Sequence, residues 1–317
     1  MTRFLLKRIG QAVVVVFFVT VIVFLLLHSA PGGPAHGILG PKASPQAIAE
    51  FNREHGFDKS LVQQYWAYID ELFHGDLGRS YTLNQSVASL IGQRIPKTLV
   101  LTGLSTLVAL VVAIPLGVWQ ARRRKGLADY AVTTVVFVGY ATPVFFLALI
   151  LVIVFTQKTQ LLPPQAPQTQ SIAGLFADSR ALILPVLAGA IATVAAFSRY
   201  MRSAVLDNLA EDYVRTARAK GASERRVVWL HIMRNSLTPI VAMLGYYLPV
   251  LFSGALVIES VFNYPGMGLL FWNAAQTSDY PILLGAVLVI ALATVIGSLL
   301  ADIVQALIDP RVRGTIT

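Results

Sequence analysis

Six long apolar runs divide the chain, at residues 9–28, 98–121, 130–156, 181–198, 239–261 and 281–307. About 20 mostly apolar residues suffice for a helix to cross the hydrocarbon core of a bilayer. The pattern therefore predicts an all-α, polytopic membrane protein with six transmembrane helices. The first run, AVVVVFFVTVIVFLLL, exceeds the 7–15 apolar residues of a secretory signal, and HSAPGGP follows it instead of a small-residue cleavage site. It reads as a retained span. The expected organisation is a cytoplasmic N-terminus with the first span (1–28) and an extracytoplasmic helical loop (29–97). A core of five spans (98–310) carries a cytoplasmic loop at 199–238, and a cytoplasmic tail (311–317) follows.

The polar connections are very unequal. In the first, SPQAIAEFNREHG predicts a short helix with Ser44 as N-cap, Pro45 in the first turn and Gly56 as its stop. In LVQQYWAYIDELF, residues Leu61, Val62, Tyr65, Tyr68, Ile69, Leu72 and Phe73 form one helical stripe. The cytoplasmic connection reads NLAEDYVRTARAKGASERRVVWLHIMRNSLTP. Asn208 is placed to cap a helix with Glu211 as its capping-box partner, and Gly221 stands where a helix-ending glycine belongs. Ser223 is placed to cap a second helix that ends before Pro239. The first of these helices is small-sided, which lets the wall of a partner approach its backbone.

Composition agrees with the membrane reading. Only 13% of the 317 residues are charged and 56% are hydrophobic, against about 25% charged in soluble proteins. The net charge of +9 suggests nucleic acid or anionic lipid. The basic residues, however, flank spans rather than forming a basic domain, so membrane lipid is expected and nucleic acid is not. Discounting the long first loop, Lys and Arg concentrate in 1–8, 122–125, 199–238 and 311–317, which puts both termini in the cytoplasm. The absence of cysteine excludes a disulfide framework, Cys-ligated zinc and a thiol nucleophile.

Candidate chemistry is sparse. No phosphate-binding Gly-x-x-x-x-Gly-Lys-Ser/Thr loop, His-Glu-x-x-His or Gly-x-Ser-x-Gly motif occurs. If ATP drives this protein, another chain hydrolyses it, and the chain is not expected to be an enzyme. His28 and His36, eight apart, are weak metal candidates without a carboxylate nearby, so no metal is assigned. Glu259 is the one carboxylate near the end of an apolar run. With Tyr264 and Pro265 it is a candidate for the outer gate or pathway, or for a structural pairing role. Asp302 and Asp309 are expected to pair locally with Arg311 and Arg313, and Asp279 and Tyr280 to start the last span. Glycines and prolines at 139, 143, 185, 189, 245, 249 and 254 interrupt the central spans, through close helix packing or a cavity wall.

The segment EDYVRTARAKGASERR resembles the EAA loop of binding-protein-dependent ABC transporter permeases, in particular the dipeptide/oligopeptide branch. The E-A-A-x-x-x-G core of that family aligns with Arg215-Thr216-Ala217, then 218–220, then Gly221, so its Glu and first Ala are replaced. Its later I-x-L-P falls on His231-Ile232-Met233-Arg234. FLLKRIGQAVVVVFFVTVIVFLLLHSAPGGPA, FDKSLVQQYWAYIDELFHGDLGRS, VIESVFNYPGMGLLFWNAAQTSDYPILLGAVL and ADIVQALIDPRVR resemble further family segments in the family's order.

The resemblance implies a type I importer permease fold that moves di- or oligopeptides. Its partners would be a second homologous permease, two ABC ATPase subunits holding ATP and Mg, and an extracytoplasmic substrate-binding protein. This chain would hold no cofactor. A coupling helix would contact the ATPase through Glu211, Asp212, Arg215, Thr216, Ala217, Ala219, Lys220, Gly221, Ala222 and Arg225. Nickel chelates, haem and glutathione are the other cargoes the family suggests. An ion-gradient-driven transporter and a membrane-embedded enzyme are the rivals from other classes. The first would need charges at the membrane midplane and the second a nucleophile or metal set.

Overall fold

The apolar runs become helices, but two of them are broken and two extend well beyond their apolar cores. The structure, a computed structural model, describes residues 2–29, 33–40, 42–169, 171–253 and 255–308. Gly254, Asp309, Arg311, Arg313 and the tail named above lie outside these residues.

The first run is α1 (Thr2–His28), whose Val13, Phe17, Phe18 and Leu26 are exposed, as suits a helix bathed in lipid. The first connection holds α2 (Gly33–Leu39), α3 (Pro45–Glu54) and α4 (Leu61–Phe73). The Ser44 hydroxyl accepts from the Ala47 N–H at 3.2 Å, and Gly56 adopts φ +71° just past the end of α3. Ser60 and Gln63 form a reciprocal capping box that starts α4. Of the stripe expected on α4, Tyr65, Tyr68, Ile69 and Leu72 are half-buried, whereas Leu61, Val62 and Phe73 are exposed.

The second run lies in α5 (Val87–Arg122), which begins well before residue 98 because Val87, Leu90 and Ile91 already pack against Met267, Leu270 and Ile282. The third run does not cross as one helix. It splits into α6 (Leu127–Ala141) and α7 (Val144–Val152), continued by a π-helical turn (Ile153–Lys158), with a bend of 102° between the two halves. Pro143 explains the break: it offers no N–H and drives Thr142 out of the helical region to ψ 126°.

After α8 (Ile172–Ala177), the fourth run forms α9 (Ser179–Leu209), which continues past residue 198 as one rod. Asn208 therefore lies in the last turn of α9 and does not cap the next helix. Its amide donates to the Ala204 carbonyl at 2.8 Å and the Ser236 hydroxyl at 3.2 Å, and its carbonyl oxygen accepts from Tyr213 at 2.6 Å. The loop helix is α10 (Asp212–Ala219), followed by α11 (Glu224–Arg226) and a second π-helical segment (Val227–Ile232).

The fifth run is α12 (Met233–Ser253), which carries Pro239 inside it, so the second loop helix does not stop there but runs into the span. The separate α13 (Leu256–Val261) and α14 (Met267–Gln276) follow, and the last run is α15 (Tyr280–Ile308). Among the described residues five helices are long and apolar enough to cross a membrane, and six if the bent α6–α7 pair counts as one span.

The centre of the fold is the α5–α9 pair. A Cβ on Gly117 would sit 2.7 Å from the Met201 Cβ and the Ser198 carbonyl, and one on Gly189 would sit 2.6 Å from the Ser105 hydroxyl. Small residues thus let the two backbones approach, which is how helices associate where lipid removes the hydrophobic drive. Asp129, buried at the start of α6, accepts from the Lys125 N–H at 3.1 Å and pairs with Arg202 of α9 at 2.9 Å. Asp302 pairs with Arg8 of α1, across two helices rather than within its own.

Candidate functional site

The end of the molecule where α9 meets α10 is built as a seat with one exposed face. On α10, Val214 and Ala217 are buried and join Val118, Met201, Val205, Val228 and Ile232 in one apolar cluster. That cluster ties α10 to the feet of α5 and α9 and to the π-helical segment that leads into α12. Glu211, Asp212, Arg215, Thr216, Ala219, Lys220, Gly221 and Arg225 are exposed, and Ala222 is half-buried. Most of the expected contact residues thus share the outward side. Ala217 faces inward and seats the helix.

The turn after α10 is defined by main-chain bonds. The Ala222 N–H donates to the Ala217 carbonyl at 3.1 Å and the Gly221 N–H to the Arg218 carbonyl at 2.9 Å, with Gly221 at φ +79°. This is the Schellman arrangement, and its left-handed residue favours glycine. Arg218 spans the turn with a two-point pair to Glu224, at 2.7 and 3.2 Å. The Ser223 hydroxyl accepts from the Arg226 N–H at 3.4 Å, so Ser223 is the cap it was expected to be. Beyond it the π-helical segment buries Val227, Val228 and Ile232 and leaves Trp229 and Leu230 exposed beside α10.

The outer candidates occupy different ground. Glu259, Tyr264 and Pro265 are all buried within this chain, so none of them presents surface to a pathway here. Glu259 caps α14: Thr98 donates its hydroxyl to Oε1 at 2.9 Å, and the Leu269 N–H donates to Oε2 at 3.0 Å. The same Thr98 oxygen accepts from the Met267 N–H at 2.8 Å. A carboxylate at a helix N-terminus meets unpaired N–H groups and the favourable end of the helix dipole. Gly266 and Gly268 make the approach possible, since a Cβ on Gly266 would lie 2.5 Å from the carboxylate. Tyr264 donates to the Lys97 carbonyl at 2.6 Å, and Lys97 donates its ammonium proton to the Thr169 carbonyl at 2.8 Å.

A second clamp joins the long first connection to the last span. Asp279, fully buried just before α15, accepts from the hydroxyls of Ser80 (2.6 Å) and Thr82 (2.7 Å) and from the N–H groups of Tyr81 and Thr82. Burial, and then the Asp279 carboxylate, push the Tyr81 phenol well above its ordinary range. Both ring nitrogens of His28 are engaged, by the Phe24 carbonyl at 2.8 Å and Gln64 Oε1 at 2.9 Å. Among the described residues no group of three or more His, Asp or Glu is placed to hold a metal.

Sequence reasoning had no signal for the Asp129–Arg202 and Arg218–Glu224 pairs as partners. It noted Asp279 only as a helix start. The spacing of Gly126 and Asp129, a turn glycine with an acid in the first helical turn, is the one local hint for the first pair.

The structure is thus a bundle of long apolar helices with one short helix, α10, seated against the ends of α5 and α9 and exposed on its other side. The chain belongs to the family described as "Binding-protein-dependent transport system inner membrane component", whose model matches residues 113–314, and the N-terminal model of the same systems matches residues 1–102. It is a multi-spanning protein of the inner membrane. The oligopeptide transport system permease protein AppB of Bacillus subtilis (strain 168) is 35% identical over 315 residues, which cover 99% of this chain and 100% of the relative. The glutathione transport system permease protein GsiC of Escherichia coli O6:H1 is 36% identical over 314 residues, 99% of each chain. Among solved structures, the MetNI methionine ABC transporter in inward-facing conformations contains a chain that matches with TM-score 0.56 at 15% identity. The match covers 69% of this chain and 96% of that one, and it shows the shared fold of an ABC importer permease.

Proposed function

We propose that this chain forms one wall of an ATP-driven importer of di- and oligopeptides, and that the exposed face of α10 is its contact with an ATPase subunit. A second, homologous permease would form the other wall, two ATPase subunits would bind ATP and Mg, and an external binding protein would deliver cargo. Both termini and the α10–α11 turn would lie in the cytoplasm. The observation that carries the reading is the division of α10. Val214 and Ala217 fasten it to the feet of α5 and α9, while Asp212, Arg215, Thr216 and Lys220 stay exposed on its other side. A push on the free face is thereby delivered to the spans, as helix-in-groove recognition would allow.

Peptide cargo is supported by two full-length relatives, one named for an oligopeptide system and one for a glutathione system, glutathione being itself a tripeptide. The test is uptake of a labelled tripeptide by cells carrying Gly221→Pro. Proline cannot adopt φ +79°, so the turn must rearrange while the spans still insert. Uptake should be lost, with ATP hydrolysis no longer answering to cargo. Uptake equal to that of the parent chain would rule out α10 as the lever. Affinity purification in mild detergent should recover a second permease and ATPase subunits. A lone chain would point to a transporter driven by an ion gradient.

A further inference from the structure

The outer loop encloses a cleft that the coupling argument does not use. It is about 640 Å³ in volume and opens between α1, α3, α4, the segment 77–84 and the start of α15. This lies within the roughly 300–1,000 Å³ of small-ligand sites. Its wall is aromatic. Phe57 and Tyr81 lie 6.1 Å apart edge to face, Phe57 and Tyr280 6.3 Å apart, and Phe24 and Tyr68 6.3 Å apart.

Its charges are unspent. Arg53, Lys59 and Arg79 line the cleft, and none of them forms an ion pair with a described residue. The Arg79 guanidinium donates to two neutral oxygens of Asn84, at 2.9 and 3.2 Å. Glu71 also lines it without a cationic partner. Burial, then Asp76 and Asp70, hold its carboxyl above the usual carboxylate range, so a cation brought to it is favoured. Finally, the Tyr68 hydroxyl is buried and has no hydrogen-bond partner among the described residues. Buried polar atoms are rarely left so, and one in the wall of a cleft invites a ligand.

We propose that this cleft binds a short peptide with free termini, its carboxylate held by the cations of Arg53, Lys59 and Arg79, its ammonium by Glu71, and an apolar side chain against the aromatic wall. The Tyr68 hydroxyl supplies a further hydrogen bond. The proposal rests on the peptide-import reading, and it places a cargo site on the permease itself, on the outer side. Unpaired charges of both signs beside rings favour a zwitterionic peptide over a lipid tail or a purely anionic ligand.

The experiment uses the full chain with whatever subunits co-purify, in lipid nanodiscs without any external binding protein, titrated calorimetrically with Phe-Ala-Phe and with its C-terminal amide. Saturable binding of the free acid is expected, at least tenfold weaker for the amide and for Arg79→Ala. Tyr68→Phe removes a hydroxyl that bonds nothing among the described residues, so its melting temperature should hold or rise while binding weakens about two- to tenfold. Absence of binding to the unmodified complex would overturn the proposal. So would binding that Arg79→Ala and Tyr68→Phe leave intact, which would locate the peptide elsewhere. The same nanodiscs, supplied with a cargo-loaded external binding protein, are assayed for ATP hydrolysis. Stimulated hydrolysis without cleft binding sinks only the cleft, whereas no stimulation by any peptide-binding protein sinks the import reading beneath it.

Discussion

Thr98 and Glu259, 161 residues apart in the chain, meet at 2.9 Å inside the end of the bundle opposite α10, and the threonine hydroxyl serves both the carboxylate and the Met267 N–H. One side chain thus fastens α5 to the turn before α14. Thr98→Val leaves a buried acceptor and a buried N–H without their partner. It should cost about 1–3 kcal/mol, read as a lowered melting temperature in detergent. Thr98→Ser should retain most of the stability. If valine is tolerated as well as serine, the bond contributes nothing.

Asp279 gathers four hydrogen bonds from Ser80, Tyr81 and Thr82. Asp279→Ala frees that segment from α15. Protease added to the outside of spheroplasts should then cut between residues 77 and 86 at least several-fold faster than in the parent chain. Equal cleavage rates would show that the loop is held by other contacts.

Two glycines of α5 separate close packing from helix propensity. Gly117→Ala places a methyl against Met201 and Ser198 and should destabilise by about 1–3 kcal/mol. Gly103→Ala meets nothing within 4 Å and should be neutral or stabilise by up to about 1 kcal/mol. Thermal melts of the two variants side by side decide it, and the same sign for both would refute the assignment.

Arg218 and Glu224 bridge the turn at Gly221 with both side chains exposed, so their pairing contributes little to global stability. Glu224→Gln should leave the melting temperature within about 1 °C yet loosen the turn. Cargo-stimulated ATP hydrolysis should fall relative to basal hydrolysis. A large drop in melting temperature would reveal a structural role instead.

The transmembrane pattern was legible because span length and apolarity are properties of single segments. Ser44, Gly56, Gly221 and Ser223 were legible because capping depends on neighbours in the chain, whereas the Ser60 cap of α4 was missed. The break at Thr142–Pro143 lay hidden within an unbroken apolar run, since hydropathy is blind to backbone freedom, although Pro143 itself was in view. Asn208 misled for a related reason. Its residue type suits a cap, but α9 overrides that preference by continuing to Leu209, where Ser236 and Tyr213 satisfy the amide. Glu259 was visible as an odd acid, yet its partners lie 161 residues upstream and ten residues downstream. Only the folded chain brings them together.

The length of α9 has a consequence for reach. Thirty-one residues at 1.5 Å each make a rod of about 46 Å, against a hydrocarbon layer of about 30 Å. Even when tilted, the rod overshoots the hydrocarbon, so its lower portion is a stalk reaching through the headgroup layer with α10 braced at its foot. A soluble protein that grips α10 would meet it at the headgroup surface without entering the hydrocarbon, and sideways travel at the foot is magnified or reduced at the far end according to where the rod pivots. The tight crossing at Gly117, level with Ser198 and Met201, lies just above that stalk and is the natural fulcrum.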